Sequence, residues 1–422
     1  MLNKTLILLL LMSAVCFPAD FFNYLKDYNK NLYNNEKKTF SKGSLENKWY
    51  LVTDIYYNLY KYRLGSDIDV DQLEDNIDDT IDFLEDDKIK ELTAYEKELI
   101  ISMMYGIKCY ISSTDISIGN LSDLRKSYKL SEKLYSKHKE IESSFGFHLT
   151  RLVVATYFEN SFLIKDIFGY EGGISKSVEN LKKIAKDDNL FMIEANITLN
   201  EFYSKIFYDH RSSARYSQKL NQLFPNSKYF KFLYAKDLYH TGKIDKAFKL
   251  FKEVNTEISN EYYPYEYNSL IYEIKCLYLQ DREDFAVEVL KYAKKIHDGY
   301  LLQELDKWKR QLKRRKDILY RFETLNFRDI KDITKNEHDK KLTAKILFDH
   351  GYFKELFNLT NYRDESELLL QYFRSALILG EYKTASQLFE VLESKHEDFL
   401  DDHQDIGRIK ILKNILDNIS TN

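Results

Sequence analysis

At 422 residues, with 44% hydrophobic and 31% charged side chains, the chain can bury more surface than one compact core accommodates, so an elongated array or several domains is expected. Only 3 Pro and 13 Gly leave little for β-turns or flexible linkers, which argues against a strand-rich fold and for a chain that is nearly all helix. A net charge of −4 argues against general nucleic-acid binding, and the 34 Tyr and 27 Phe are the usual filler between stacked helices.

Met1-Leu2-Asn3-Lys4 and the apolar run from Thr5 to Met12 form a short positive segment and a hydrophobic stretch too brief to span a bilayer, the pattern of a secretory signal. Ala14-Val15-Cys16 favours cleavage after Cys16; the alternative is a lipoprotein signal in which Cys16 becomes the lipidated first residue, against which stands Val15, where such signals usually carry Gly or Ala. Residues 1–16 are thus assigned as signal, and the mature chain is expected in the periplasm or cell envelope, touching the membrane only if Cys16 is lipidated.

Residues 17–144 read as an irregular N-terminal helical region. The aromatic stretch from Asn47 to Tyr60 fits a cap or irregular hairpin. Gly65 to Asp87 carries eleven acids and no Lys or Arg. Asp67, Asp69 and Asp71 match the opening of a calcium loop, but Gln72 stands where that loop turns on Gly and Asp78 where it needs a bidentate Glu. Val70, Leu73, Ile77, Ile81 and Leu84 share one helical stripe, so a solvated acidic helix is expected. Cys109 and Cys276 lie inside helical patterns far apart in the chain and are expected to be reduced core thiols.

From Phe145 a repeating pattern registers over 145–299. Its clearest unit is Tyr229 to Phe251: two amphipathic helices joined at Gly242, with Ala235 and Leu238 inside the first and Ala247, Leu250, Phe251 and Val254 inside the second. Small Ala235 and Ala247 suit the close approach of two backbones, and Pro225 ends the unit before. Ser177, Ala214, Ala247 and Ala286 occupy the second small-residue place, at a spacing that drifts around ~34 residues. This pattern resembles the tetratricopeptide repeat (TPR) family, and the wider order resembles exported bacterial members in which an irregular helical region and a Gly-Gly turn, here Gly172-Gly173, precede regular repeats.

Residues 300–335 read as a long basic helix and linker, with Lys307, Lys309, Arg310, Lys313, Arg314, Arg315 and Lys316 on a solvated face. Residues 336–422 return to the repeat pattern at Ala344, Leu347, Gly351 and Leu356, then at Ala376, Gly380, Tyr382, Ala385, Phe389 and Leu392, and close on an amphipathic capping helix from Asp401 to Asn418. The resemblance implies an all-α fold, an α-α superhelix or TPR-like solenoid of stacked helical hairpins, in which each hairpin contacts mainly its sequence neighbours.

No nucleophile turn, phosphate loop, dinucleotide fingerprint or His-Glu-x-x-His is present, so no catalytic residue, cofactor or metal site is assigned. His396 and His403 stand among acids, but Phe399-Leu400 interrupts the helical phase between them. In the TPR family the first helix of each unit lines the concave face. Carried onto units starting near Ala195, Lys228 and Tyr267, the resemblance implies a partner-binding groove of Asn196, Tyr203, Tyr229, Lys236, Tyr239, Asn268, Lys275 and Tyr278. Asn, Lys and Tyr suit an acidic protein or peptide segment. The expected function is a scaffold for protein–protein interaction; the alternative is an accessory or ligand-binding helical subunit of an envelope transport, assembly or polymer-synthesis complex. Mass spectrometry of the native protein is expected to find the first ~16 residues removed. A retained Met1 would refute export, and an acylated Cys16 would convert the secreted form to the lipoprotein.

Overall fold

A computed structural model describes residues 21–34, 50–66, 68–86, 92–111, 118–157, 174–256, 263–280, 282, 286, 313, 337–349, 352–357, 366–395, 409, 412, 413 and 416. All its regular elements among these residues are helical. The assigned signal with Cys16, the basic segment apart from exposed Lys313, and the pair His396 and His403 lie outside the described residues. Two compact units divide the chain, one of residues 1–63, 67–150 and 183–193, the other of 64–66, 151–182 and 194–422.

The first unit contains α1 (Phe21–Tyr33), α2 (Tyr50–Leu64), α3 (Val70–Glu85), α4 (Ala94–Ile111), α5 (Ile118–His138) and most of α6 (Ile141–Tyr157). The acidic segment is α3. Asp69 caps it by accepting from the Gln72 N–H at 2.9 Å, Leu73, Ile77, Ile81 and Leu84 are buried, and Asp78 on the exposed side meets Lys108 of α4 at 2.7 Å. Asp69 is therefore a helix cap. At the start of α4, Thr93 and Glu96 form a reciprocal capping box. Helices α4 and α5 meet through small polar residues: Ser102 Oγ and Ser131 Oγ lie 2.7 Å apart, and Ser127 Oγ donates to the Ser102 carbonyl at 3.1 Å. Gly146 of α6 closes against them, since a Cβ there would stand 2.9 Å from Ser131 Oγ.

The second unit contains the repeat pattern. It takes in α7 (Ile174–Lys186) up to residue 182 and α8 (Met192–Glu201) from residue 194; a π-helical turn (Phe202–Phe207), α9 (His210–Leu223), α10 (Lys228–His240), α11 (Ile244–Asn255) and α12 (Pro264–Leu279) follow. Each of α9 to α12 packs on the next, and α10 also touches α12, which is the contact order of stacked hairpins. Ser227 caps α10, and Pro264 sits in the first turn of α12, where its missing N–H costs nothing. Further on, α13 (Glu337–Asp349), α14 (Phe353–Phe357), α15 (Ser366–Leu379) and α16 (Tyr382–Lys395) form a second set, with α15 packed against the other three.

The α10–α11 turn shows why the sequence folds this way. Gly242 takes φ +79°, a left-handed conformation that costs a residue with a Cβ about 1–2 kcal/mol. The chain then doubles back: the Lys243 N–H reaches the Leu238 carbonyl at 2.9 Å, the Gly242 N–H the Tyr239 carbonyl at 3.1 Å, and the Lys243 carbonyl accepts the Ala247 N–H at 3.0 Å to start α11. The same bonds recur from Glu381 to Ala376 with Gly380 at φ +78°, and from Tyr352 to Leu347 and Arg282 to Leu277. In each case the residue four places after the turn is wholly buried: Ala247, Ala286, Leu356 and Ala385. Ser177 is wholly buried as well.

One register assignment is corrected. Ala214 is only half-buried, whereas Ser213 is wholly buried and starts its helix on the Asp209 carbonyl at 3.0 Å. Ser213 stands 34 places before Ala247. The π turn inserts the extra residue that shifts the phase, and Tyr208, at φ +57°, takes the left-handed place that glycine holds elsewhere. Leu250 is half-buried, while Phe251 and Val254 are wholly buried. Ile409, Leu412 and Leu416 of the expected terminal helix are buried too.

Of the three cysteines, Cys109 and Cys276 are described and neither forms a disulfide; burial pushes the Cys109 thiol up to about 12 and the Cys276 thiol upward too. No helix among the described residues is long and apolar enough to cross a membrane. Replacing Ala247 by Leu is expected to lower stability by about 1–3 kcal/mol, because the site has no free volume. The same change at exposed Lys246 is expected to stay within about 0.5 kcal/mol. Thermal melts of the two variants check the register, and equal midpoints would overturn it.

Candidate functional site

The most polar place inside the second unit is built around Asp237, on the buried side of α10 and 2% exposed. Its Oδ2 accepts from Asn200 Nδ2 of α8 at 2.9 Å, Ser213 Oγ at 3.0 Å and Ser217 Oγ of α9 at 2.6 Å. Its Oδ1 accepts from His210 Nδ1 at 2.9 Å, which places the imidazole proton on Nδ1 because a carboxylate has none to give. One side chain thus ties the start of α9, the middle of α9 and the end of α8 to α10. The arrangement differs from a nucleophile–base pair: serine and histidine both donate to the same carboxylate, so the imidazole is not placed to take a serine proton. Its chemistry is that of a clasp. No group of three His, Cys, Asp or Glu among the described residues is placed to hold a metal ion.

The clasp reaches the surface through a second imidazole. His240, at the last turn of α10, stacks on His210 with ring centres 4.1 Å apart and planes within 11°. Its Nε2 lies 3.2 Å from the hydroxyl of Tyr272 on α12. Tyr272 in turn stacks on Phe251 of α11 at 5.3 Å, and Lys275 Nζ sits 5.1 Å from the Tyr272 ring centre. Lys236 is one helical turn before His240, so the half-buried stripe Leu233, Lys236 and His240 of α10 joins the stripe Asn268, Ile271 and Lys275 of α12 through the His240–Tyr272 contact.

The groove residues expected from the sequence divide accordingly. Lys236 and Lys275 are half-buried and Asn268 is exposed on these joined stripes; Tyr278 is half-buried, packed beside Leu270, Ile274 and Leu277. Tyr203 is half-buried in the π turn, parallel to Tyr216 at 5.9 Å and beneath Lys182 at 5.6 Å; burial pushes the Tyr216 hydroxyl up to about 12. Asn196 is wholly buried, Tyr229 is 9% exposed with its ring edge-on to Tyr265, and Tyr239 is 4% exposed against Tyr272. For these three the structure corrects a surface position to an interior one, since α8 is enclosed on every side and Tyr229 and Tyr239 fill the space between α10 and α12. Sequence reasoning missed His210, Asp237, His240 and Tyr272. The signal available was the run of Ser213, Ser217 and Asp237 at positions where an apolar stripe should continue.

No protein-family model matches this sequence, and no curated protein matches it. Among solved structures, yeast Tom70 is similar at 11% identity over 94% of this chain and 69% of that one, with a TM-score of 0.36. The TPR domain of P58(IPK) is similar at 11% identity over 82% of this chain and 99% of that one, with a TM-score of 0.25. Likeness at this level bears on neither partner nor site. The hairpin turns and buried small residues described above make the fold TPR-like.

Replacing Asp237 by Ala is expected to cost about 3–5 kcal/mol, because removing the shared acceptor strands several buried donors at once. Replacing His240 by Phe, which keeps a ring on His210 but loses the hydroxyl contact, is expected to cost about 1 kcal/mol. Denaturant midpoints measure both. A D237A protein as stable as the parent would show that the clasp contributes nothing.

Proposed function

We propose that this protein is a binding scaffold that receives an acidic segment of a partner protein on the joined stripes of α10 and α12, and that it does so outside the cytoplasm. The observation that carries the reading is the His240–Tyr272 contact, which makes one continuous surface of two helices from successive hairpins. That surface presents two lysines, an asparagine, an imidazole and the apolar Leu233 and Ile271. Ammonium groups on flexible stems attract carboxylates, Asn offers both a donor and an acceptor to a peptide backbone, and the aliphatic residues supply area to desolvate. The fold supports the scaffold part of the reading, since stacked hairpins bury one face of each helix and leave another for a partner. The export part rests on the signal-like first 16 residues.

Fluorescent peptides of equal length and apolar content, one acidic, one neutral and one basic, test the site. The acidic peptide is expected to bind best, and binding to weaken as salt is raised. Reversing both lysines, K236E with K275E, is expected to lower its affinity by about tenfold or more while melting temperature and helical content stay unchanged. Equal binding of acidic and basic peptides, or undiminished binding by the double variant, would move the site elsewhere.

A further inference from the structure

In the π turn between α8 and α9 an aromatic residue holds the left-handed conformation that glycine supplies in the α10–α11 and α15–α16 turns; among the described residues Lys139 is the other non-glycine residue with a positive φ. Tyr208 takes φ +57° and ψ +20°. Its own N–H and that of Asp209 both return to the Tyr203 carbonyl, the latter at 2.9 Å. A tyrosine there is unfavourable by itself. What meets its ring comes from far along the chain: the guanidinium carbon of Arg374, on α15, lies 4.7 Å from the ring centre. Arg374 is 5% exposed, in a helix whose ten residues from Leu368 to Leu377 are all buried, including Gln371 and Ser375. An arginine enclosed this way is expensive unless its contacts serve the fold.

The turn gripped by Arg374 is also the root of the clasp. Asp209, next to Tyr208, caps α9 by accepting the Ser212 N–H at 3.0 Å, and its carbonyl accepts the Ser213 N–H. His210 and Ser213 then hold Asp237, and His210 stacks on His240. A continuous series of contacts therefore runs from the C-terminal hairpin to the joined stripes of α10 and α12.

We propose that the α15–α16 hairpin is a latch: through Arg374 on Tyr208 it holds the π turn closed in its left-handed form and so fixes how α9 seats against α10. Engaged, the latch keeps the clasp assembled. Released, the turn relaxes toward ordinary helix or loop, and α9 loses the cap that aligns His210 and Ser213 with Asp237. The device is independent of what binds the surface, because both its ends and its consequence lie within the second unit.

Hydrogen–deuterium exchange on the full chain, without any partner, tests it. Replacing Arg374 by Met keeps the stem and removes the cation. In that variant amides of residues 203–213 are expected to exchange about tenfold faster while those of α12 keep their rates. Arg374→Lys, which keeps a cation, is expected to recover part of the protection. Unchanged rates at 203–213 would overturn the proposal, and so would a uniform rise through the whole unit, which would mark Arg374 as an ordinary core residue. Should Arg374→Met fail to fold, Tyr208→Gly approaches from the other side, since glycine accepts the turn's conformation without the ring. Amides of α15 are then expected to exchange faster, and unchanged protection of α15 would equally sink the latch.

Discussion

The reversal of the chain after each first helix is the constraint on which the rest of the second unit depends. Gly242 and Gly380, in the left-handed conformation, stop their helices, and the next N–H reaches back six residues along the chain, inclusive, to satisfy a carbonyl that would otherwise be stranded. Because the same residue's carbonyl opens the following helix, the turn has no freedom in length. The fourth residue beyond it must face the preceding helix at close range, and only a small or well-placed side chain fits. Ala247, Ala286 and Ala385 satisfy this with a methyl group; Leu356, wholly buried in α14, shows that a larger side chain is admitted there. The spacing of glycine and alanine in the sequence is thus a direct consequence of backbone hydrogen bonding, with hydrophobic burial acting on a register already set.

That is why so much of the fold was legible. Gly242 with Ala235 and Ala247, and Gly380 with Ala376 and Ala385, state the turn and both sides of the helix contact in a few letters. Where the turn is made otherwise, the text misleads. At 202–213 a π turn adds a residue, a tyrosine stands in for glycine and a serine for alanine, so Ala214 attracts an assignment that belongs to its neighbour. The groove positions suffered differently. A surface position on a first helix and an interior one differ by a single residue, and aromatic side chains suit both. Tyr229 and Tyr239 look in sequence like Tyr278 and Tyr203, yet the first pair lies inside and the second is half-exposed. Lys236 and Lys275 stay half-buried and Asn268 exposed, as charge and amide groups usually do, whereas Asn196 of the same set is wholly buried.

Asp237, like Asn196 and Arg374, runs against that last rule. A carboxylate on the buried side of a first helix is invisible to hydrophobic patterning, because the pattern scores it as an error. Its donors make it tolerable: two serines, an amide and an imidazole supply four hydrogen bonds, so desolvation is offset locally. Such a cluster adds less net stability than well-packed aliphatic side chains of the same volume. It adds directionality instead. A leucine core between α9 and α10 would hold over a range of rotations about the helix axes, whereas a carboxylate with four geometrically specified donors is satisfied in one.

Directionality matters here because the candidate binding surface spans two hairpins. For Lys236 on α10 and Lys275 on α12 to act on one ligand, the rotation of α10 about its axis must be fixed, since a turn of one residue moves a side chain by about 100° around the helix. Packing of Tyr229 and Tyr239 restricts that rotation only as far as ring shape does. The hydrogen bonds at Asp237 restrict it further, and His240 passes the restriction to Tyr272, whose ring carries Lys275. His240 belongs to both systems, as the inner edge of the binding surface and the outer edge of the clasp. A partner that drew the imidazole toward itself would therefore have to loosen its stacking on His210 as well, so the work of binding and the alignment of the hairpins are exchanged at this one residue.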